Sequence, residues 1–314
     1  MPLSFRRHPE TKDTPRSTIR RRAATVVVST SLLFVGACDS TGSLGSSDST
    51  NAGAAGEAGM SGLGTVTVAD GTTVPDVLNS SVEKLRPVIV AEHPWNKESF
   101  TQGLELADDG QLVVGTGMYG DSRIYRTTLD GKESHSHDLD DDYFGEGITV
   151  HEDSVWQLTW KKGVAIHRNL DDLSEKNTAN YEGEGWGLCS QGERLVMSNG
   201  SGTLSFRDPE TFAETGSVTV TVDGVETNYL NELDCSADGT VFANVWQTDQ
   251  ILRIDVNSGQ VTGVVDTTGA FSATEEAGAD VLNGIAQIPE TDRYLVTGKY
   301  WDTLYEVRFA GDVS

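Results

Sequence analysis

One pattern returns five times between residues 86 and 309, and it constrains this chain more than any other feature. Each return opens on a short segment that runs into an apolar strand. The openings are Thr101-Gln102-Gly103-Leu104, Gly145-Glu146-Gly147-Ile148, Gly185-Trp186-Gly187-Leu188, Leu230-Asn231-Glu232-Leu233 and Leu282-Asn283-Gly284-Ile285. Matched positions 103, 147, 187, 232 and 284 are 44, 40, 45 and 52 residues apart. A second apolar segment follows each opening, such as Ser154-Val155-Trp156-Gln157-Leu158, and then a third with charge near its end, such as Ile251-Leu252-Arg253-Ile254-Asp255. Short strands with turn residues at this period indicate a β-propeller with four antiparallel strands per blade. The turn dipeptides Asp109-Gly110 and Asp238-Gly239 fit hairpins between first and second strands. The expected fold is therefore all-β, a five-bladed β-propeller, with an ordinary β-sandwich as the competing architecture. The last repeat ends after its third strand, near Phe309. Arg86 to Ala91, ahead of the first repeat, is a strand without a partner in sequence. It is expected to serve as the outer strand of the last blade, closing the ring and leaving no long open edge.

The N-terminus reads differently. Arg20-Arg21-Arg22 precedes an apolar run from Ala23 to Ala37, and the run ends in Val35-Gly36-Ala37-Cys38. A basic region, a short apolar region and small residues at a cleavage point make residues 1–37 a signal peptide. The run is too short for a comfortable membrane span. Its ending resembles a bacterial lipobox, which implies that Cys38 is acylated and becomes the first residue of an extracytoplasmic lipoprotein anchored to the cell membrane. Cleavage that leaves Cys38 unmodified is the alternative, and both the general and the twin-arginine export routes stay open. Residues 38–81 are expected to be a tether. From Asp39 to Leu63 they are Ser, Gly, Ala, Asp and Thr with too little apolar surface to offset ordering entropy. Thr65 to Ser81 is transitional, and the folded domain is expected over 82–314.

Position in a propeller carries a functional consequence. Side chains just ahead of each first strand sit at one rim of the central channel. Gln102, Glu146, Trp186, Asn231 and Asn283 hold that slot, so distant parts of the chain converge on one pocket. A slot with a purely structural role would more often repeat one small residue; this one varies between amide, carboxylate and indole. The second strands end in another rank, Thr116, Trp160, Asn199, Trp246 and Lys299. Apolar walls with a few convergent polar groups are the usual make-up of a ligand pocket. Gly145 and Gly147 are expected to let the backbone bend and a ligand approach Glu146.

These residues resemble a known family. FTQGLE at 100–105, FGEGIT at 144–149, GWGL at 185–188, LNEL at 230–233, ANVW at 243–246, LNGIA at 282–286 and TGKYW at 297–301 look like the plant and bacterial glutaminyl-peptide cyclotransferases. The resemblance covers residues 86–309, and its specificity lies in several motifs in the right order. It implies a five-bladed propeller that cyclises N-terminal glutamine of peptides or proteins to pyroglutamate with loss of ammonia, an acyl transfer without a cofactor. The substrate's own amine attacks its own carboxamide, so no protein nucleophile is required. Near-attack geometry, proton transfer and an oxyanion site are what the protein must supply. Glu146, the only carboxylate in the slot, is assigned the proton shuttle; the resemblance places the family's central catalytic residue at the same position. Gln102, Asn231 and Lys299 are candidates for the substrate amide, the α-carbonyl or the oxyanion. Phe100, Phe144, Trp160, Trp186 and Trp246 would wall the pocket and exclude water, and Asn283 is a further substrate-binding candidate. Bland readings stand beside these: Glu146 as a carboxylate capping backbone amides, Lys299 as a solvated strand end, Trp246 as core and Asn231 as a turn-former. Trp95, Trp156 and Trp301 read as packing residues.

Composition narrows the partners. A formal net charge of −25 over 314 residues disfavours nucleic acid. His135-Ser136-His137-Asp138 and the acids after it read as a solvated loop rather than a metal cluster, and the histidines do not otherwise cluster, so no metal site is expected. Cys189 and Cys235 hold equivalent places in neighbouring repeats. They are either a disulfide, as an exported protein permits, or two buried thiols. A monomer is expected. Two other functions compete with cyclisation: a lactonase-like hydrolase using a divalent ion on Glu146, Asn231 and Asn283, and a propeller that binds peptides at the cell surface without turning them over.

Overall fold

Turn residues punctuate the chain every few residues past Leu63, and strands form between them. The computed structural model describes residues 63–236 and 238–311. The expected signal peptide 1–37, Cys38 and the tether as far as residue 62 lie outside the described residues. The chain divides into two units, Met1–Ala58 and Gly59–Ser314, and every described residue belongs to the second.

The described residues open with a hairpin, β1 (Thr65–Thr67) and β2 (Thr73–Pro75), and then a long strand, β3 (Glu83–Pro94). Four sequential strands follow as one antiparallel sheet: β4 (Thr101–Leu106), β5 (Leu112–Thr116), β6 (Arg123–Thr127) and β7 (Glu133–Asp138). A second sheet comprises β8 (Gly145–His151), β9 (Ser154–Thr159), β10 (Val164–Asn169) and β11 (Glu175–Asn180). A third comprises β12 (Leu188–Gln191), β13 (Arg194–Met197), β14 (Thr203–Arg207) and β15 (Glu214–Thr219). The small hairpin β16 (Thr221–Val222) and β17 (Val225–Glu226) then leads to β18 (Leu230–Cys235), β19 (Val241–Val245), β20 (Gln250–Asp255) and β21 (Gln260–Asp266). The final strands are β22 (Leu282–Gln287), β23 (Arg293–Gly298) and β24 (Thr303–Gly311). β3 pairs antiparallel with β24, so the N-terminal strand supplies the outer strand of the last sheet. It also runs parallel to β21 through Glu83 to Leu85, which joins the last two sheets.

Chain order becomes spatial order. β4 lies beside β8, β8 beside β12, β12 beside β18, β18 beside β22, and β22 returns to β4. The result is an all-β, propeller-like ring of small antiparallel sheets. Its core sits between sheets, where alternating residues of the first three strands meet. Leu112, Val114 and Tyr125 pack with Ala286 and Leu295, while Leu158, Ala165 and Leu188 pack with Leu195. The outer strands β7 and β11 are largely exposed and polar. Trp95, Trp156 and Trp301 are buried packing residues.

Four expectations change. The folded part reaches back to Leu63 rather than starting near Val82, because Val74 and Val77 are buried and Val77, Leu63 and Leu78 join the core beside Leu230 and Val256. His135 to Asp138 belongs to strand β7, not a loop, because it finds a ladder partner in β6. Cys189 and Cys235 form a disulfide with Cα atoms 5.4 Å apart, closing the open choice between bridge and thiols. Gly145 and Gly147 serve packing rather than bending. A Cβ on Gly147 would stand 2.6 Å from the Trp186 carbonyl oxygen and 2.7 Å from the Gly187 Cα. Neither glycine has positive φ, and the close approach they allow is that of the neighbouring sheet.

Candidate active site

The first strands start at one face of the ring, and a cavity of about 440 Å³ opens there. Four members of the sequence slot line it: Gln102, Glu146, Trp186 and Asn231. From the second rank, Trp160, Trp246 and Lys299 join them, with Phe100 and Phe144. Thr116 and Asn199 do not line it. Thr116 faces an adjoining hollow, and the Asn199 amide oxygen accepts from the Ser201 N–H and hydroxyl.

Polar groups form the floor. Glu146 and Lys299 are each 4% exposed. The Glu146 carboxylate accepts no hydrogen bond from the described residues, so it is not capping backbone amides. Burial raises its pKa well above the carboxylate range, the Lys299 charge opposes this, and the Glu184 charge adds to it. Burial likewise lowers the pKa of Lys299, against the pull of Glu146 and Asp280. The two are near enough to act on each other without forming an ion pair. Lys299 Nζ lies 4.5 Å from the centre of the Phe100 ring, within cation–π range, so it is no solvated strand end. The amide of Asn231 has no partner among the described residues and faces the cavity.

Asn283 is the exception among the expected substrate-binding residues. It is fully buried and does not line the cavity. The residue after it, Gly284, takes φ 127°, which the residues after Gln102, Glu146 and Asn231 do not, and Asn283 lies behind the wall. There its Nδ2 donates to the Thr101 carbonyl and to Gln102 Oε1, at 3.0 and 2.9 Å. With the Gln102 oxygen engaged, its Nε2 is the free end offered to the cavity. The Asn283 Oδ1 is buried without a partner among the described residues, and Asn283 does not share the cavity that Glu146 and Asn231 line. Among the described residues no three His, Cys, Asp or Glu side chains are grouped to hold a metal.

Aromatic walls surround the floor. Phe144 meets Phe100 and Trp160 edge to face, with ring centres 5.9 and 5.5 Å apart, and Trp186 meets Trp246 at 5.4 Å. Such edge-to-face contacts fix ring positions. Two supports were not legible in the repeat. Glu184 Oε2 accepts from the indole N–H groups of both Trp160 and Trp186, at 2.8 and 3.0 Å. Tyr229, at φ 60°, stacks beside Trp186 and stands edge-on to Trp246. Glu184 lies two residues ahead of the slot tryptophan, an offset that the repeat pattern does not weigh.

An aromatic-walled pocket with a buried carboxylate of raised proton affinity, a nearby amine and the free amides of Gln102 and Asn231 can bind a small polar group and move a proton on it. Fold and site thus define a propeller-like protein suited to acid–base chemistry on an amide-bearing ligand. Known proteins narrow that class. The sequence profile of the family described as glutamine cyclotransferase matches residues 62–309. The chain is 36% identical over 225 residues to a protein of Arabidopsis thaliana named glutaminyl-peptide cyclotransferase, covering 70% of each. It is also similar to the crystal structure of Myxococcus xanthus glutaminyl cyclase, with a TM-score of 0.68 and 32% identity, over 74% of this chain and 99% of that one. The chain belongs to the glutamine cyclotransferase family.

Proposed function

We propose that this protein is a glutaminyl-peptide cyclotransferase, converting the N-terminal glutamine of peptides or proteins to pyroglutamate and ammonia on a five-bladed propeller. Family membership supports the activity. The closed succession of first strands from β4 to β22 supports the blade count. The observation that carries the mechanism is Glu146, buried without a hydrogen-bond partner among the described residues and lining the cavity.

The free Nε2 of Gln102 and the Asn231 amide hold the substrate's carboxamide and α-carbonyl, and the aromatic walls fold its side chain back toward its own amine. The amine nitrogen attacks the carbonyl carbon of the side-chain carboxamide. Glu146 takes a proton from that nitrogen and gives it to the departing one, so the C–N bond to ammonia breaks as the ring amide forms. A carboxyl of raised proton affinity suits both halves of this transfer better than an ordinary one. Lys299 and the amide donors meet charge on the carbonyl oxygen. No step calls for a cofactor.

The test is ammonia release from a Gln-initiated dipeptide, with pyroglutamyl product followed by mass. Turnover unaffected by EDTA is expected. Binding without ammonia would point to the non-catalytic alternative, and EDTA inhibition reversed by Ca²⁺ to the metal-dependent one.

We propose further that Cys38 is acylated and tethers the mature protein to the outer face of the cell membrane, acting as a monomer. The leader pattern supports the anchor, and the Cys189–Cys235 bridge fits an oxidising compartment. Labelled palmitate should enter the wild-type protein and not Cys38→Ala; equal labelling would remove the anchor.

A further inference from the structure

The β1–β2 hairpin, which composition assigns to a tether, forms one side of the cavity mouth. Ala69, in its turn, lines the cavity, as does Gln247. The hairpin is fixed in place from several directions. The Tyr229 hydroxyl bonds the Asp70 carboxylate and the Thr72 hydroxyl at 2.6 and 2.8 Å. Asn228 Nδ2 donates to the Thr73 carbonyl at 3.0 Å. Tyr229 in turn packs on Trp186 and Trp246. Turn, tyrosine and two indoles form one assembly.

Gln247 belongs to it. The Asp70 backbone N–H donates to Gln247 Oε1 at 3.0 Å. This engages the oxygen of the amide and leaves its NH₂ as the free end, with no partner among the described residues. Gln247 sits at φ 62°, directly after Trp246. A left-handed position after a pocket indole turns the chain sharply and brings the next side chain to the same cavity.

Depth gives this donor its role. The groups assigned to chemistry, Glu146, Gln102, Asn231 and Lys299, are all buried at the floor. Ala69, Gln247 and Asp280 stand nearer solvent at the mouth. A substrate that reacts through its first residue must send the rest of its chain out past the mouth. Every such chain carries a backbone carbonyl on its second residue, an acceptor independent of sequence. Gln247 offers a neutral donor at that level. We infer that Gln247 is a substrate-binding residue that donates to the carbonyl of the peptide's second residue, and that the β1–β2 turn is the element that orients it. A backbone contact of this kind favours peptides over free glutamine derivatives without selecting their sequence.

This inference rests on the cyclotransferase reading. Its test compares kcat/KM for a Gln-initiated tripeptide with kcat/KM for glutaminamide, which has no second residue. In Gln247→Ala the ratio of tripeptide to glutaminamide should fall by about fivefold, as expected for one neutral hydrogen bond. The fall should lie in KM rather than kcat. Gln247→Glu can still accept from Asp70 but cannot donate, so its ratio should fall at least as far. Because both substrates meet the same preparation, a change in folded fraction cancels. An unchanged ratio in either variant overturns the inference while leaving the activity standing. A wild-type protein that releases no ammonia from either substrate removes the cyclotransferase reading and this inference together.

Discussion

Among the described residues, burial without a hydrogen-bond partner distinguishes Glu146 from the other buried acids Glu232 and Asp234. Its proton affinity is raised first by desolvation and then by Glu184, whose carboxylate also clamps two indoles. Two substitutions separate these effects. Glu184→Gln keeps an oxygen for the indole N–H groups but removes the charge, so the proton affinity of Glu146 should fall. The acidic limb of the kcat–pH profile should then move to lower pH with KM little changed. Glu184→Ala loses the clamp as well, and KM should rise by about fivefold as the walls loosen. A profile that stays in place in Glu184→Gln would separate Glu184 from the chemistry. At this scale the sequence was readable where register alone assigns position. Four of the five slot residues reach the cavity because each sits at the start of a first strand or just ahead of it. Asn283 does not: the backbone takes φ 127° at Gly284, and its amide is engaged by Thr101 and Gln102 behind the wall. Glu184 and Gln247 act through side-chain contacts that no spacing encodes.

Elements show a similar division. Second and third strands announced themselves by alternation and turn residues, and β3 was recognisable as the strand that completes the last sheet. The hairpin β1–β2 was not. It follows directly on a run of Ser, Gly and Ala, and its turn is held by Tyr229 and Gln247, more than 150 positions away along the chain. Contact between sheets also sets the cost of change. Gly147→Ala should destabilise the fold by about 1–3 kcal/mol, because the Trp186 carbonyl and the Gly187 backbone leave no room for a methyl group. The Cys189–Cys235 bridge ties β12 to β18 across 46 residues of sequence. Replacing both cysteines by alanine should lower unfolding free energy by about 4 kcal/mol in denaturant titration. Unchanged midpoints in the two variants would contradict the packing and cross-link arguments respectively.

Across the whole ring, acids hold neighbouring first strands together. Glu232 accepts from the Leu104 and Ile285 N–H groups, Asp234 from Gln287 and Glu105 from Val150. Burial dominates all three shifts, raising Glu105 to about 8 and Asp234 to about 7, and Glu232 well above the ordinary range. The native state then retains protons that the unfolded chain has released. Stability is therefore fully present below the ordinary carboxylate pKa and is lost as pH rises to about 8. Tm should fall from pH 5 to pH 8, and Glu105→Gln with Asp234→Asn should flatten the decline. An undiminished slope in that double variant would show that these acids are not its source. The sequence disclosed the ring but not this arrangement, because a propeller's first strands are not hydrogen-bonded to one another and their amides need side-chain acceptors that only the assembled ring supplies.

Converging loops, dry walls and amide donors all serve one proton transfer, and kcat for ammonia release by Glu146→Gln tests it most directly. The substitution keeps the volume of the side chain and removes its proton exchange. It should lower kcat by about 100-fold or more while the variant stays folded and still binds a Gln-initiated peptide. Turnover within a few-fold of wild type would contradict the account.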